Sequence, residues 1–221
     1  MDKKVKISGI YDKRTIQRLK EVGINQISFD FRARSFNFLQ QHSFMELQEE
    51  LAIDESIYLQ FENEADFVIK KIIDDLKHVR SSNNLFLEFS DEQTSSYYDQ
   101  FLTPYIWHYS LECKSLEAIE ESKYISGIVL KFSDLLKLHE DGVLHNFCNN
   151  FHSQFIKLLS NKEFKLILDL DWDSNLFSSI SEYFDFDIIS VAINNKVEVC
   201  YRNVDLAKVQ THVQYLKALA L

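Results

Sequence analysis

Eight short apolar runs, separated by segments of helical period, constrain this chain more than any other feature. The runs are VKISGI, QISFDF, SIYLQF, NLFLEF, YIWHYS, SGIVLKF, FKLILDLDW and FDIISVAI, starting at residues 5, 26, 56, 84, 105, 126, 164 and 186. Between them lie DKRTIQRLKEV, FMELQEEL, EADFVIKKIIDDLKHV, SSYYDQFL, SLEAIEES, GVLHNFCNNFHSQFIKLL and NLFSSISEYF, and VDLAKVQTHVQYLKALA follows the last run. In ADFVIKKIIDDL the apolar residues Phe67, Val68, Ile72 and Leu76 recur at helical spacing. Strands alternating one for one with helices predict an α/β fold, a (β/α)8 barrel in one domain over residues 1–221. A doubly wound open sheet is the competing arrangement, and period alone does not separate the two.

The strands do not read like those of an ordinary parallel sheet, which are almost continuously apolar. In the first, Val5, Ile7 and Ile10 contrast with Lys6 and Ser8; in the second, Ile27, Phe29 and Phe31 alternate with Ser28, Asp30 and Arg32. Tyr58, Gln60, Glu62, Glu88, His108, Lys131, Asp169, Asp171 and Asp173 continue the polar set. The helix-facing side of a barrel strand must be apolar, so the polar set is expected to point into the barrel. A charge left unpaired there costs several kcal/mol, so these groups must pair with one another, hold water or hold a ligand.

Composition narrows the partners. With 24 basic and 34 acidic side chains the chain carries a net charge of −10, which speaks against nucleic acid or an anionic membrane surface. The three cysteines, Cys113, Cys148 and Cys200, are scattered and odd in number, as expected of reduced thiols in the cytoplasm. The opening MDKKVKISGI has no apolar run fit for a signal peptide, and no stretch approaches a membrane span. Only four glycines occur, Gly9, Gly23, Gly127 and Gly142, roughly a quarter to a third of average usage. Backbone cradles for phosphate are usually built from glycine, so the material for one is scarce.

The segment VKISGIYDKRTIQRLKEVGINQISFDFRARSFNFL, residues 5–39, resembles the opening of the phosphoribosylanthranilate isomerase family, barrel enzymes of tryptophan biosynthesis. That family begins with a K-I-C-G-I/L-T strand, a helix and turn, a G-F-V-F strand and a K-S-P-R-Y segment. LQFENE and FLEFSDEQ resemble its G-V-F-V-N and Q-L-H-G-D/E strand ends. The segment lengths fit throughout, so the resemblance covers essentially the whole chain. It implies an Amadori rearrangement of an aminoaldose phosphate, with a cysteine base on the first strand and an aspartate acid on the sixth. It also implies phosphate held on glycine-rich turns after the seventh and eighth strands, with no cofactor and no metal.

Carried over residue by residue, nearly all of that machinery is replaced. The base position is Ser8, and an unactivated hydroxyl is a poor base at working pH. The acid position is Lys131, in IVLK. The arginine of the K-S-P-R-Y segment falls on Asn37, which with Arg34 and Asp171 makes the candidate substrate contacts. The G-G-T-G loop falls on HEDG, residues 139–142, and the seventh-strand glycine pair on Leu170 and Asp171. Chemistry rebuilt on other groups would use Lys131 with a carboxylate from Asp30, Glu88 or Asp169; alternatively, Lys131 simply neutralises Asp169 or Asp171.

Two further patterns are weaker. His145, Cys148 and His152 line one helical face, and Asp169, Asp171 and Asp173 alternate on a strand; each would need further ligands to hold a metal. The sequence therefore leaves two functions open. One is a barrel that has lost the isomerase reaction and binds a small ligand or a protein partner at its mouth. The other is an active sugar-phosphate isomerase with Ser8, Asp30 and Lys131 in new roles.

Overall fold

A computed structural model of the chain describes residues 4–79, 84–112, 119, 121–173, 180 and 182–219. Eight parallel strands close into a barrel in sequence order: β1 (Lys4–Ser8), β2 (Gln26–Asp30), β3 (Ser56–Phe61), β4 (Leu85–Phe89), β5 (Tyr105–His108), β6 (Ile125–Lys131), β7 (Lys165–Leu170) and β8 (Ile188–Ala192). β8 returns to pair with β1, from Lys4 opposite Ile188 to Ser8 opposite Ala192. The closed ring excludes the open doubly wound sheet, and each strand falls within or beside the apolar run that predicted it.

Among the described residues the α-helices outside the ring are α1 (Lys13–Glu21), α2 (Gln41–Leu47), α3 (Asp66–Lys77), α4 (Ser95–Asp99), α5 (Phe132–Glu140), α6 (Leu144–Gln154), α7 (Ile156–Leu159) and α8 (Leu206–Leu219). α1 shows how local sequence sets an element. The Asp12 side chain accepts from the Thr15 N–H at 2.8 Å, a helix N-cap that satisfies one of the orphan donors. At the other end Gly23 has φ +73°. The N–H of Gly23 reaches the Lys20 carbonyl and that of Ile24 the Leu19 carbonyl, closing a Schellman motif.

Three expectations are corrected. α5 lies between the apolar runs, where no helix was expected. β6 passes into it without a linker, Lys131 being both the last strand residue and the N-cap. The HEDG stretch is then the C-terminal end of α5, about nine helical residues from the strand end, roughly 13 Å at 1.5 Å per residue. On α3 the buried face is Ile69, Ile72, Ile73 and Leu76, and Phe67 is 70% exposed. After β8 the chain forms a small antiparallel hairpin, β9 (Glu198–Cys200) with β10 (Asn203–Val204). The helices expected over 115–122 and 175–184, and Cys113, lie largely or wholly outside the described residues.

The core has two parts. A large apolar shell lies between the ring and its helices. Inside the ring Tyr58, Ile106, Val129, Ile167 and Ile188 form a separate cluster with Phe86 packed on it. Above this plug the interior turns polar. Lys6 and Glu88, each 1% exposed, form an ion pair across the barrel. Gln60 donates from Nε2 to the second Glu88 oxygen at 2.8 Å. The Lys6 ammonium also lies 4.8 Å from the centre of the Tyr58 ring, whose hydroxyl donates to Gln26 Oε1 at 2.5 Å. Burial alone would raise the Glu88 carboxyl; Lys6 and His108 outweigh it and hold Glu88 well below the ordinary carboxylate range.

Two predictions follow from this interior. Lys6→Met strands a buried carboxylate and should cost about 3–5 kcal/mol in urea unfolding, whereas the Lys6→Met/Glu88→Leu double variant should recover most of it. Because the folded-state pKa of Glu88 is lowered, its contribution is complete above the unfolded value of about 4.3. It is lost as pH falls below that value toward the folded one, so Glu88→Gln should flatten the acid limb of the stability profile. An unchanged acid limb would contradict the pair. The second concerns Gly127, where an added Cβ would lie 2.5 Å from the Lys165 carbonyl oxygen and 2.8 Å from Ile106 Cδ1. Gly127→Ala should cost about 1–3 kcal/mol, and an unaltered unfolding midpoint would show the β6–β7 contact is looser than described.

Candidate functional site

The strand ends build a cavity of about 330 Å³ at the C-terminal mouth of the barrel, the face where barrel enzymes carry their chemistry. Ser8, Asp30, Asn37, Lys131 and Asp169 all line it, along with Arg32, Gln60 and His108. The structure thus brings together five of the seven candidate residues. Asp171 lies beside it in a neighbouring cavity of about 540 Å³, which Lys131 and Asp169 also line. Arg34 is exposed in the β2 loop and lines a neighbouring cavity with Arg32, Glu62 and Asn63.

Most of these groups are committed to one another. The Ser8 hydroxyl lies 3.1 Å from that of Ser190, so the family's base position faces another hydroxyl. Asp30 is 2% exposed and accepts from the Arg32 backbone N–H at 3.0 Å, Arg32 Nε at 2.9 Å, Arg32 Nη2 at 2.6 Å and Ser35 Oγ at 2.5 Å. A carboxylate with four donors on it is a structural anchor for the β2 loop, not a free base. His108 Nε2 stands 3.7 Å from Glu88 Oε2, linking the rim to the buried ion pair.

The turns that the resemblance assigns to phosphate are occupied from within. Lys196, after β8, pairs with Asp171 and with Asp173, the latter at 3.0 Å. Asp171 is held below the ordinary range although burial opposes it, since Lys196 and the Trp172 N–H both bind it. Asp171 is therefore neutralised by Lys196 rather than by Lys131. Arg202 is likewise engaged, donating from Nη2 to the Phe38 carbonyl at 2.5 Å and lying over the Tyr11 ring.

Lys131 and Asp169 have no hydrogen-bond or ion-pair partner among the described residues, and Asn37 has one atom without a partner. Lys131 is exposed and makes no ion pair, although Asp169 is its register neighbour on β7. Asp169 opens onto the cavity and receives no hydrogen bond; burial of the rest of the group pushes its carboxyl up, against the pull of His108 and Lys6. Asn37, 5% exposed, donates from Nδ2 to the Ile193 carbonyl at 2.6 Å and leaves Oδ1 unsatisfied. Its amide packs so closely on Gly9 (φ +72°) that a Cβ there would lie 2.3 Å from Nδ2.

The pairing of Lys6 with Glu88, the Gln60 bond and the Arg32 clamp were not foreseen. Lys6 and Gln60 were legible only as inward polar positions of alternating strands. As for metals, no group of three or more His, Cys, Asp or Glu side chains among the described residues is placed to hold one. Cys148 is buried, its thiol pushed up to about 11 by burial. His152 stacks on Phe184, and His145 lies against Tyr183.

No protein-family model matches the chain, and no curated protein sequence matches it. Solved structures do. A phosphoribosyl anthranilate isomerase in complex with reduced 1-(o-carboxyphenylamino)-1-deoxyribulose 5-phosphate superposes with a TM-score of 0.70 at 15% identity, over 98% of this chain and 99% of that one. The phosphoribosyl anthranilate isomerase of Thermotoga maritima gives 0.69 at 14% identity, over 98% and 99%. TrpF from Jonesia denitrificans gives 0.69 at 13% identity, over 99% and 98%. At such identities the likeness is one of fold: along nearly its whole length this chain is similar to the phosphoribosylanthranilate isomerases and has their barrel.

Proposed function

We propose that this chain is a phosphoribosylanthranilate isomerase-like barrel that has lost the Amadori rearrangement and acts by binding at its mouth. The observation that carries this reading is the state of the proton-transfer positions. The rearrangement needs a base to take a carbon-bound proton and an acid to open the sugar ring. Ser8, at the base position, has only the Ser190 hydroxyl beside it. Two other carboxylates are saturated, Asp30 by Arg32 and Ser35 and Glu88 by Lys6 and Gln60, whereas Glu62 on the exposed rim is not held in this way. A base must have a pKa near the working pH; Lys6 and His108 hold Glu88 well below the ordinary carboxylate range, and the oxygens of Asp30 are taken up by four donors.

Asp169 supports one half of the rival reading, an active isomerase with rebuilt residues. Its raised pKa suits a general acid. Of the groups that could serve as its partner base, the Ser8 hydroxyl bonds that of Ser190 and His108 lies against Glu88. The phosphate side weakens the rival further. The turns after β7 and β8 contain no glycine and place Asp171 and Asp173 where an anion would sit. Both described cysteines, Cys148 and Cys200, are free thiols, in keeping with a role in the cytoplasm.

The chain should fail to support growth of an isomerase-deficient tryptophan auxotroph, and purified protein should show no turnover of phosphoribosylanthranilate. Ser8→Cys alone should not restore turnover, because a thiol there would still face only the Ser190 hydroxyl and the phosphate turns would remain closed. Calorimetry with the phosphorylated product analogue should give no binding at millimolar concentration. Growth without tryptophan, or phosphate seated between the β7 and β8 turns, would overturn the proposal.

A further inference from the structure

The hairpin after β8 stands apart from the barrel as a sheet of two strands, β9 and β10. We infer that it is an interface: a second copy of this chain pairs its β9 antiparallel with the open β9 edge, covering Val199, Tyr201 and Phe36. The inference goes beyond the reading of the mouth and does not depend on whether the barrel turns over a substrate.

A two-stranded sheet is marginal by itself, and an open strand edge is a template for another strand. The two edges of this sheet differ. β10 is covered: Arg14 of α1 donates to Asn203 Oδ1 at 2.8 Å and to the Val204 carbonyl at 3.4 Å, and Val204 is buried. β9 pairs with β10 alone among the described residues, and Val199 is 71% and Tyr201 69% exposed. Neither lysine nor proline, which commonly blunt such an edge, occurs between residues 198 and 204. Phe36, also exposed, meets the Tyr201 ring edge-on at 5.5 Å. The apolar surface therefore continues onto the β2 loop, where Phe36 also lines the mouth cavity.

This edge is complementary to itself. A two-fold axis through Cys200 sets Val199 opposite Tyr201 of the second copy, and Glu198 opposite its Arg202. A β-branched residue against an aromatic one, and unlike charges face to face, are favourable cross-strand pairs. The charge distribution selects the same occupant. At a net charge of −10 most of the surface repels another copy. Here the two signs are mixed: Asp12, Glu198 and Arg202 stand around Tyr11, and Arg14 is bonded to the hairpin. On the neighbouring loops Glu62 and Glu64 stand with Arg32 and Arg34. A uniformly acidic or basic partner gains nothing from a surface of both signs, whereas a copy of the same surface does. The edge is short, so the dimer is weak and depends on concentration.

Sedimentation velocity of the intact protein, from about 1 μM to about 200 μM, tests this. The mean mass should rise from that of one chain toward that of two, with a dissociation constant of roughly tens of micromolar. Val199→Lys and Tyr201→Lys, both at exposed positions, should weaken association about tenfold or more with an unchanged circular dichroism spectrum. Ile53→Lys and Phe67→Lys, at equally exposed apolar positions elsewhere, should leave association as it is. A short thiol-to-thiol cross-linker should join two copies through the exposed Cys200, as peptide mapping would show. The inference is overturned if the native chain stays monomeric at the highest concentration, or if the Val199 and Tyr201 variants associate as the native chain does. A link that falls on another cysteine overturns it as well. Turnover of phosphoribosylanthranilate is scored separately and bears only on the loss of isomerase activity.

Discussion

The ion pair between Lys6 and Glu88 is the constraint on which the rest of the mouth depends. Two opposite charges, each almost wholly shielded from solvent, sit on β1 and β4 across the barrel axis. Neither is tolerable without the other, and apolar replacement of both would hold a barrel at least as well. The charged pair does something an apolar pair would not: it dictates what stands around it. Gln60 must turn its amide toward Glu88, Tyr58 presents its ring to Lys6, and His108 is drawn to the same carboxylate. A polar floor is thereby fixed between the apolar plug below and the cavity above.

The rim is fixed by a second set of bonds, which tie loops to one another instead of to a ligand. Asn37 in the β2 loop holds the Ile193 carbonyl just past β8. Arg202 in the β9–β10 hairpin holds Phe38. Lys196 gathers Asp171 and Asp173 after β7. The β2, β7 and β8 loops are thus cross-linked by groups that in a catalytic mouth would be free to meet substrate. Such a rim is preorganised, and preorganisation favours binding of a small ligand over the loop movements that often accompany turnover.

Much of this was legible in the sequence, for physical reasons that also explain what was not. The eight strands stood out because each is a short apolar run bounded by polar segments. Their inward faces stood out because a strand alternates with period two, so Lys6, Gln60 and Glu88 could be placed on one side. Their pairing could not, since Lys6 and Glu88 are 82 residues apart and nothing local to either names the other. α5 was hidden because β6 runs straight into it, with no turn residue to mark the change. Phe67 was misjudged because its place in an apolar run outweighed its angular position on α3, where Ile69 and Ile73 carry the buried face. The family resemblance located Ser8 and Lys131 at the mouth; it could not say that Arg32 would clamp Asp30.

The central claim is that the carboxyl at the floor of the mouth, Glu88, is held ionised by its partners while Asp169 holds a proton more readily. Carbon-13 NMR titration of the aspartate and glutamate carboxyls, assigned through Glu88→Gln and Asp169→Asn, measures this directly. The account predicts that Glu88 stays ionised well below the usual carboxylate range while Asp169 takes up its proton above it. A Glu88 that titrates near neutral pH would contradict the account, because the mouth would then hold the base that the rearrangement requires.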